Sequence, residues 1–447
     1  MSEYELKPKY IPSNDDFDVI VAGGGPSGCA AAIAAAREGA KTLLIESTGS
    51  LGGMGTSGLV PAWCPFSDQE KIIYGGLAQR IFELSKAPAH IARDALDWVP
   101  IDPELLKRVY DGEVVKSGAK VLFFTFICDL EKRDGRNVDV ILAANKAGLT
   151  AYRAKVFIDC TGDGDIAAWA GARIETGGEN GDAQPGSLCF SIGNADIYGY
   201  LHGGALYGGD RSSKIYDILK SGRYPHITST HLCCDIIGPG TVGFNAGHIW
   251  NADNTDPFAL TEGIMEGRRA AASYRDALAE FYPAGFGNGF LTATGALMGV
   301  RESRRVVGDY VLTREDYLAR RSFPDEICRN SYYIDVHMNK EDEERQHKGE
   351  IEIDGMGMRY GRGESHGVPY RCLTPAGLDN VLVAGRAISC ERDVQGSVRV
   401  MPVCLCTGEA AGMAGAMAAG ASDEVNAHGV DTGRLRRRLK EEGAYLP

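Results

Sequence analysis

The sequence predicts an α/β protein built on an open parallel sheet, and three observations carry that reading. Asp16 to Ala32 reads as strand, glycine turn and helix: Val19 to Ala22 is a short apolar run, and Gly23, Gly25 and Gly28 follow in the spacing G-x-G-x-x-G. A second apolar run, Lys41 to Ile45, ends in Glu46, eighteen residues after Gly28. Two later runs, Lys155 to Asp159 and Asn380 to Ala384, end in Cys160-Thr161-Gly162-Asp163 and Gly385-Arg386. Unbroken apolar runs of this length are what parallel strands become when helices cover both faces of the sheet.

Each part of the opening unit has a physical job. The first glycine makes the tight turn, the second admits a pyrophosphate to the backbone, and the third lets helix and strand pack closely. The alanine-rich helix that follows stops near Gly39 and aims its positive end at the phosphates. Glu46 stands at the spacing of a ribose-hydroxyl ligand. The unit predicts a bound dinucleotide and by itself does not separate FAD from NAD. Ser47 to Gly58 is a glycine-rich loop at the strand edge where ligands bind in open α/β sheets, and it is predicted to touch the ligand.

Composition sets the outer limits. A chain of 447 residues, 44% hydrophobic and 24% charged, is that of an ordinary globular protein with two or three domains. A net charge of −13 argues against nucleic acid or an anionic membrane as partner. Twelve cysteines without CxxC or Cys/His spacing predict reduced thiols in a cytoplasmic protein and no metal site. Met1 to Asp15 lacks the apolar segment of a secretory leader, and Met401 to Gly420 is interrupted by Glu409 and several glycines, which makes it a poor membrane span.

Helices are expected over Leu77–Leu84 and over Asp102–Lys116, where Asp102-Pro103 supplies a cap and a first turn. A β-meander runs from Lys120 to Ala154 with a turn at Asp134-Gly135-Arg136. Asp163 or Asp165 is expected to cap the helix from Ile166 rather than to bind a metal. Between Gly178 and Gly367 short strands (Ser187–Ile192, Thr241–Asn245) mix with helices (Ser213–Lys220, Thr261–Glu280, Ser303–Val306), and Asn339–Glu352 reads as a solvated loop or hairpin. The chain then returns to a buried strand, an Ala/Gly-rich helix over Thr407–Ala419, and a basic tail helix that packs through Leu435 and Leu439.

Asp18 to Gly25, Gly52-Gly53-Met54-Gly55-Thr56, Phe157 to Asp165 and Asn380 to Arg386 occur in that order. On these segments the chain resembles the FAD-dependent oxidoreductase family of glutathione-reductase-like flavoproteins, distantly akin to the fumarate reductase flavoprotein group. Gly299 to Arg305 and Val368 to Leu373 are similar to signatures of the same family. The resemblance implies a Rossmann-like FAD-binding domain of glutathione-reductase type over 15–180 and 368–424. An inserted mixed α+β substrate domain would occupy 181–367, and 425–447 would form a C-terminal helix on the body. It implies FAD contacts from Gly23, Gly25, Pro26, Ser27, Gly28, Glu46, Ser47, Gly53, Met54, Gly55, Thr56, Ser57, Ile127, Thr161, Gly162, Asp165, Gly385, Arg386 and Met401. The helix from Thr407 would point its N-terminal dipole at the N1 and O2 side of the flavin. No second G-x-G-x-x-G follows a strand, so a tight NAD(P)H site is not expected.

A flavin enzyme needs a proton donor or acceptor beside N5 and groups that orient substrate. His337, His366 and His248 are the acid/base candidates, because imidazole titrates near neutral pH. Arg399 is the candidate for a substrate carboxylate or hydroxyl. Arg301, Arg304 and Arg305 are expected on one helix, paired with carboxylates at a domain junction. Cys64 is either a buried thiol or a covalent link to the flavin. The expected reaction moves hydride between a small polar metabolite, a hydroxy acid or sugar, and flavin N5. Two other readings stay open: a flavin monooxygenase or ene-type reductase, and an electron-transfer flavoprotein subunit. The only expected partners are the small-molecule substrate and a second copy of the chain.

Overall fold

The computed structural model describes residues 10–178, 183–250, 252–347, 358–421 and 425–447. Five parallel strands form the central sheet in the order Val381–Val383, Val156–Asp159, Val19–Ala22, Thr42–Ile45, Lys120–Leu122. The first four are buried along their whole length, which is why they read as unbroken apolar runs. Successive residues face opposite ways. Val19 and Val21 therefore join the core under the helices, while Ile20 and Ala22 join Ile141 and Tyr152 of the meander on the other face.

The helical face is organised by Pro26–Arg37 and Met401–Ala419, both almost wholly buried. They cross without side chains between them. A Cβ at Gly408 would overlap the carbonyl oxygen of Ser27, and one at Gly412 that of Ala31. The second helix starts at Met401, six residues before the position expected from sequence. Pro402 sets the helical φ in its first turn. Thr407 is mid-helix, where its hydroxyl donates to the Cys404 carbonyl (3.0 Å) and accepts from Gly385 N (3.2 Å). Burial pushes the Glu409 carboxyl in the same helix up to about 8, so it accepts from Leu77 N (3.1 Å) as an uncharged acid at neutral pH.

A second core lies in the middle of the chain. Its sheet is antiparallel in the order Leu232–Gly238, Thr241–Ala246, Phe190–Gly193, Phe290–Thr294. Helix Pro257–Phe281 covers one face, and Phe190 stacks on Phe244 (5.0 Å) and on Tyr274 of that helix (5.7 Å). The helix begins at Pro257, capped by Asp256, rather than at Thr261. Residues of this core run from Phe190 to Phe286, whereas Leu312, Tyr317, Ile327 and Val368 belong to the first core. The physical break therefore falls near residue 300, not at 367. The expected boundaries near 180 and 424 lie at the edge of the described residues or outside them.

Two other elements differ from expectation. Arg304–Val306 is a strand paired with Ile174–Thr176, not a helix. Alternation sends Arg304 to Asp165 (2.7 Å) and Arg305 to Glu302 (2.7 Å). Lys340–His347 is a helix rather than a loop, with three acids in its first turn. The rest of that expected loop, 348–352, is outside the described residues.

In an ordinary helix interior, glycine to alanine gains roughly 1 kcal/mol. Gly408→Ala reverses the sign here, costing about 1–3 kcal/mol because the helices must separate. Denaturant unfolding of the two proteins measures it.

Candidate active site

One cleft of about 1710 Å³ runs from the first glycine turn to the middle sheet. At its first end the three glycines do three different things. Gly23 has φ +91°, and a Cβ there would press on Cys160 O; a Cβ at Gly28 would overlap Gly23 O. A Cβ at Gly25 meets nothing within 4 Å. That space opens onto the first turn of helix Pro26–Arg37, where no side chain caps the free N–H groups. An open turn, an uncapped helix end and a missing Cβ fit a pyrophosphate. Glu46 is fixed at the end of its strand by Gly24 N (2.6 Å) and Thr48 N (2.7 Å), at the edge of the same cleft.

Gly23, Gly25, Pro26, Ser27, Glu46, Ser47, Gly53, Met54, Ile127, Thr161, Gly162, Asp165, Gly385, Arg386 and Met401 all line the cleft. Four expected contacts do not. Gly28 is spent on packing, and Gly55 faces Leu106 and Met401. Thr56 Oγ1 donates to Leu51 O (2.6 Å), and the Ser57 hydroxyl shares a hydrogen bond with that of Ser50 (2.7 Å). Gly55, Thr56 and Ser57 shape the loop from behind. Neither Asp163 nor Asp165 caps the following helix. Asp159 accepts from Ala167 N (3.0 Å) in its first turn, while Asp163 holds Arg386 (2.7 Å) and Asn254 (2.9 Å).

At the far end the middle sheet and the last third of the chain meet. Leu232 pairs with Ala246 across the hairpin, so His231 and His248 leave the sheet at one end. His337 enters from the extended stretch after Asn330. Its backbone N–H donates to Gln184 Oε1 (3.1 Å), and Gln184 continues through Gln395 to the Arg301 carbonyl (3.3 and 2.8 Å). His248 Nε2 lies 2.9 Å from His337 Nδ1, and His248 Nδ1 lies 2.7 Å from Glu343. Asp335 lies 3.6 Å from His337 Nε2 and takes Arg399 on its other side (3.1 Å).

His366 stands apart. It is fully buried behind the cleft wall against Tyr317 and Tyr360, with Nδ1 3.0 Å from the Tyr360 hydroxyl and Nε2 without a partner. Of the four expected acid/base and anchoring residues, His248, His337 and Arg399 share the cleft and His366 does not. Cys64 does line it, but burial and Asp335 push its thiol up to about 12, which keeps it protonated.

Arg301 departs furthest from expectation. It is buried against the cleft and donates only to neutral acceptors: Pro185 O (2.6 Å), Ser187 Oγ (3.1 Å) and His231 Nε2 (3.1 Å). Among the described residues no carboxylate lies within 4.0 Å of it. Burial and then the nearby Arg399 lower it to about 10, still charged at neutral pH. The same surroundings hold the histidines neutral: burial and Arg301 bring His337 down to about 4, with His248 and His231 lower again. Burial would raise Asp335, but His337 and the two guanidiniums hold it well below the carboxylate range. Sequence pattern singles out neither Arg301 nor His231. The turn Gly238-Pro239-Gly240 is the signal that brings residue 231 opposite 247, next to His248.

A family model described as FAD dependent oxidoreductase matches residues 18–439. The chain belongs to that family. Its cradle therefore takes FAD, and it is an FAD-dependent oxidoreductase. Digeranylgeranylglycerophospholipid reductase of Methanocaldococcus jannaschii is 30% identical over 170 residues, 36% of this chain and 42% of that protein. Thiamine thiazole synthase of Methanococcus aeolicus is 29% identical over 224 residues, 44% of this chain and 82% of that protein. Among solved structures, a geranylgeranyl bacteriochlorophyll reductase-like protein from Thermoplasma acidophilum aligns with 97% of this chain and 84% of its own, at a TM-score of 0.47 and 15% identity. A flavin-dependent brominase aligns with 95% of this chain and 83% of its own, at 0.47 and 13%. No single helix among the described residues is long and apolar enough to cross a membrane.

Two outcomes are expected. Gly25→Ala folds, since its φ of −68° suits alanine, but loses FAD affinity about tenfold or more because the methyl group fills the phosphate space; flavin retention on gel filtration checks this. The neutral His366 binds its proton only near 3, against 6.5 in the unfolded chain, so the unfolded state gains protons first as pH falls. Below pH 6.5 that one group costs about 1.4 kcal/mol per pH unit. Stability followed by denaturant between pH 7 and 5 falls less steeply in His366→Gln.

Proposed function

We propose that this chain, a flavoprotein of glutathione-reductase type, moves hydride between flavin N5 and a small polar metabolite, a hydroxy acid or sugar. The observation that carries the reading is the single cleft. It joins the dinucleotide cradle to two arginines, three neutral histidines and two carboxylates drawn from distant parts of the chain. FAD, when bound, supplies the ring atom that exchanges hydride. The protein does the rest. The open N-terminal end of Met401–Ala419, with Val400, Met401 and Cys404 on the cleft wall, presents a positive dipole where negative charge grows on flavin reduction.

Arg301 and Arg399 face the far part of the cleft, and between them stands one carboxylate, Asp335. A substrate hydroxylate or carboxylate pairs with Arg301, whose acceptors among the described residues are all neutral. The histidine cluster receives the proton that leaves a substrate hydroxyl, since its members are neutral and His248 is backed by Glu343. Twelve cysteines, all free among the described residues, suit a reducing compartment such as the cytoplasm.

The test is an anaerobic screen. The purified protein is yellow, and a panel of hydroxy acids and sugars is searched for bleaching near 450 nm, the approximate absorption band of oxidised flavin. For a substrate that bleaches, Arg301→Gln raises KM about 10- to 100-fold, the value of a charge-assisted hydrogen bond. A yellow protein that no metabolite bleaches overturns the hydride reading and favours an electron-transfer subunit. Oxidation of NAD(P)H only in the presence of substrate favours a monooxygenase or ene-type reductase.

A further inference from the structure

We propose that His231, His248 and His337 bind one divalent transition-metal ion in the substrate part of the cleft. Candidate ligand atoms of the three side chains lie within 4.8 Å of one another. Their ring centroids are 4.9, 5.0 and 5.0 Å apart, a nearly equilateral triangle. Three imidazoles bound to one ion at 2.0–2.1 Å with tetrahedral angles have ring centres about 5 Å apart.

The partners behind the rings agree. Metal-bound imidazoles turn the other nitrogen to a carboxylate or carbonyl, which fixes the ring. Glu343 lies behind His248 Nδ1 at 2.7 Å, leaving Nε2 inward. Asp335 lies behind His337 Nε2 at 3.6 Å, leaving Nδ1 inward. Those two inward nitrogens are 2.9 Å apart. His231 Nε2 has Arg301 at 3.1 Å and Asn245 Oδ1 at 3.3 Å. Arg301 keeps its bonds to Pro185 O and Ser187 Oγ through its other terminal nitrogen, so it can turn from His231 without losing all its partners.

Asp335 and Glu343 place two carboxylates beside the cluster, against Arg301 and Arg399. All-imidazole sets suit zinc, iron, copper or nickel rather than calcium or magnesium. Three protein ligands leave a position open to the cleft, as in catalytic sites. An ion there would polarise the substrate oxygen and take over the part assigned above to free imidazole. The placement rests on the cleft being the substrate site; the binding itself does not.

The experiment uses the FAD-loaded full chain without a histidine tag, stripped with a chelator. Zn2+ is titrated by calorimetry, and retained metal is counted by mass spectrometry after gel filtration. One ion per chain is expected, with Kd about 1 µM or tighter. His231→Ala and His248→Ala weaken binding about 100-fold or more while the protein stays yellow, and Glu343→Gln weakens it about 10- to 100-fold. Exposed His202→Ala changes nothing. Retention below about 0.1 ion per chain, or equal affinity in the histidine variants, overturns the proposal and leaves a direct His248–His337 hydrogen bond. If a histidine variant loses flavin, the Glu343→Gln affinity decides. None of these readings uses turnover, so a negative metabolite screen does not touch them.

Discussion

Helices Pro26–Arg37 and Met401–Ala419 meet backbone to backbone at Gly408 and Gly412, and the shape of the cleft hangs on that contact. With side chains between them, the helices would sit several ångströms further apart. Their N-terminal ends would then no longer open on one cleft. As it is, residues from opposite ends of the chain share a wall: Gly25 and Ser27 from the first helix, Met401 and Cys404 from the second. Arg399 follows directly, because it ends the short helix Arg392–Val398 just before the long one begins. A packing requirement thus fixes where the anchoring charge stands relative to the cofactor cradle.

The far end of the cleft is set by a different force. At this end Arg301 and Arg399 stand beside three histidines, with Asp335 and Glu343 among them. Burying Arg301 without a carboxylate costs free energy that its three neutral acceptors only partly return. The amide relay from Gln184 through Gln395 joins the Arg301 backbone carbonyl to the His337 backbone N–H, so the two segments are tied at the main chain. The side chains keep their own freedom: the guanidinium is held by Pro185 O, Ser187 Oγ and His231.

Much of this was legible in the sequence, and the dividing line is physical. The first glycine turn depends on groups close together in sequence, so the glycine spacing, the strand runs and Glu46 are legible there, while Ile127 and Gly385 reach the same cleft from far along the chain. Where a residue's job was packing rather than contact, as at Gly28 and Thr56, pattern could not tell the two apart. The histidine cluster depends on contacts between residues 231, 248, 301, 337 and 343, and no local pattern carries those. Arg301 was assigned to a paired helix because its neighbours Arg304 and Arg305 do pair. A strand's alternation, and the bend before it, separate it from them. His366 begins the strand His366–Pro369, and its side chain turns into the core formed by Tyr317 and Tyr360, which no local pattern shows.

The hairpin that carries His231 and His248 has a consequence for how the protein tolerates change. Both side chains sit just beyond the ladder that joins Leu232 to Ala246, so their mutual placement is inherited from strand register. A one-residue slip in that ladder would turn one imidazole to the opposite face of the sheet. The turn at Pro239 and Gly240, at the other end of the hairpin, has no such duty. Insertions at that tip leave the site intact, while single deletions within the strands erase it.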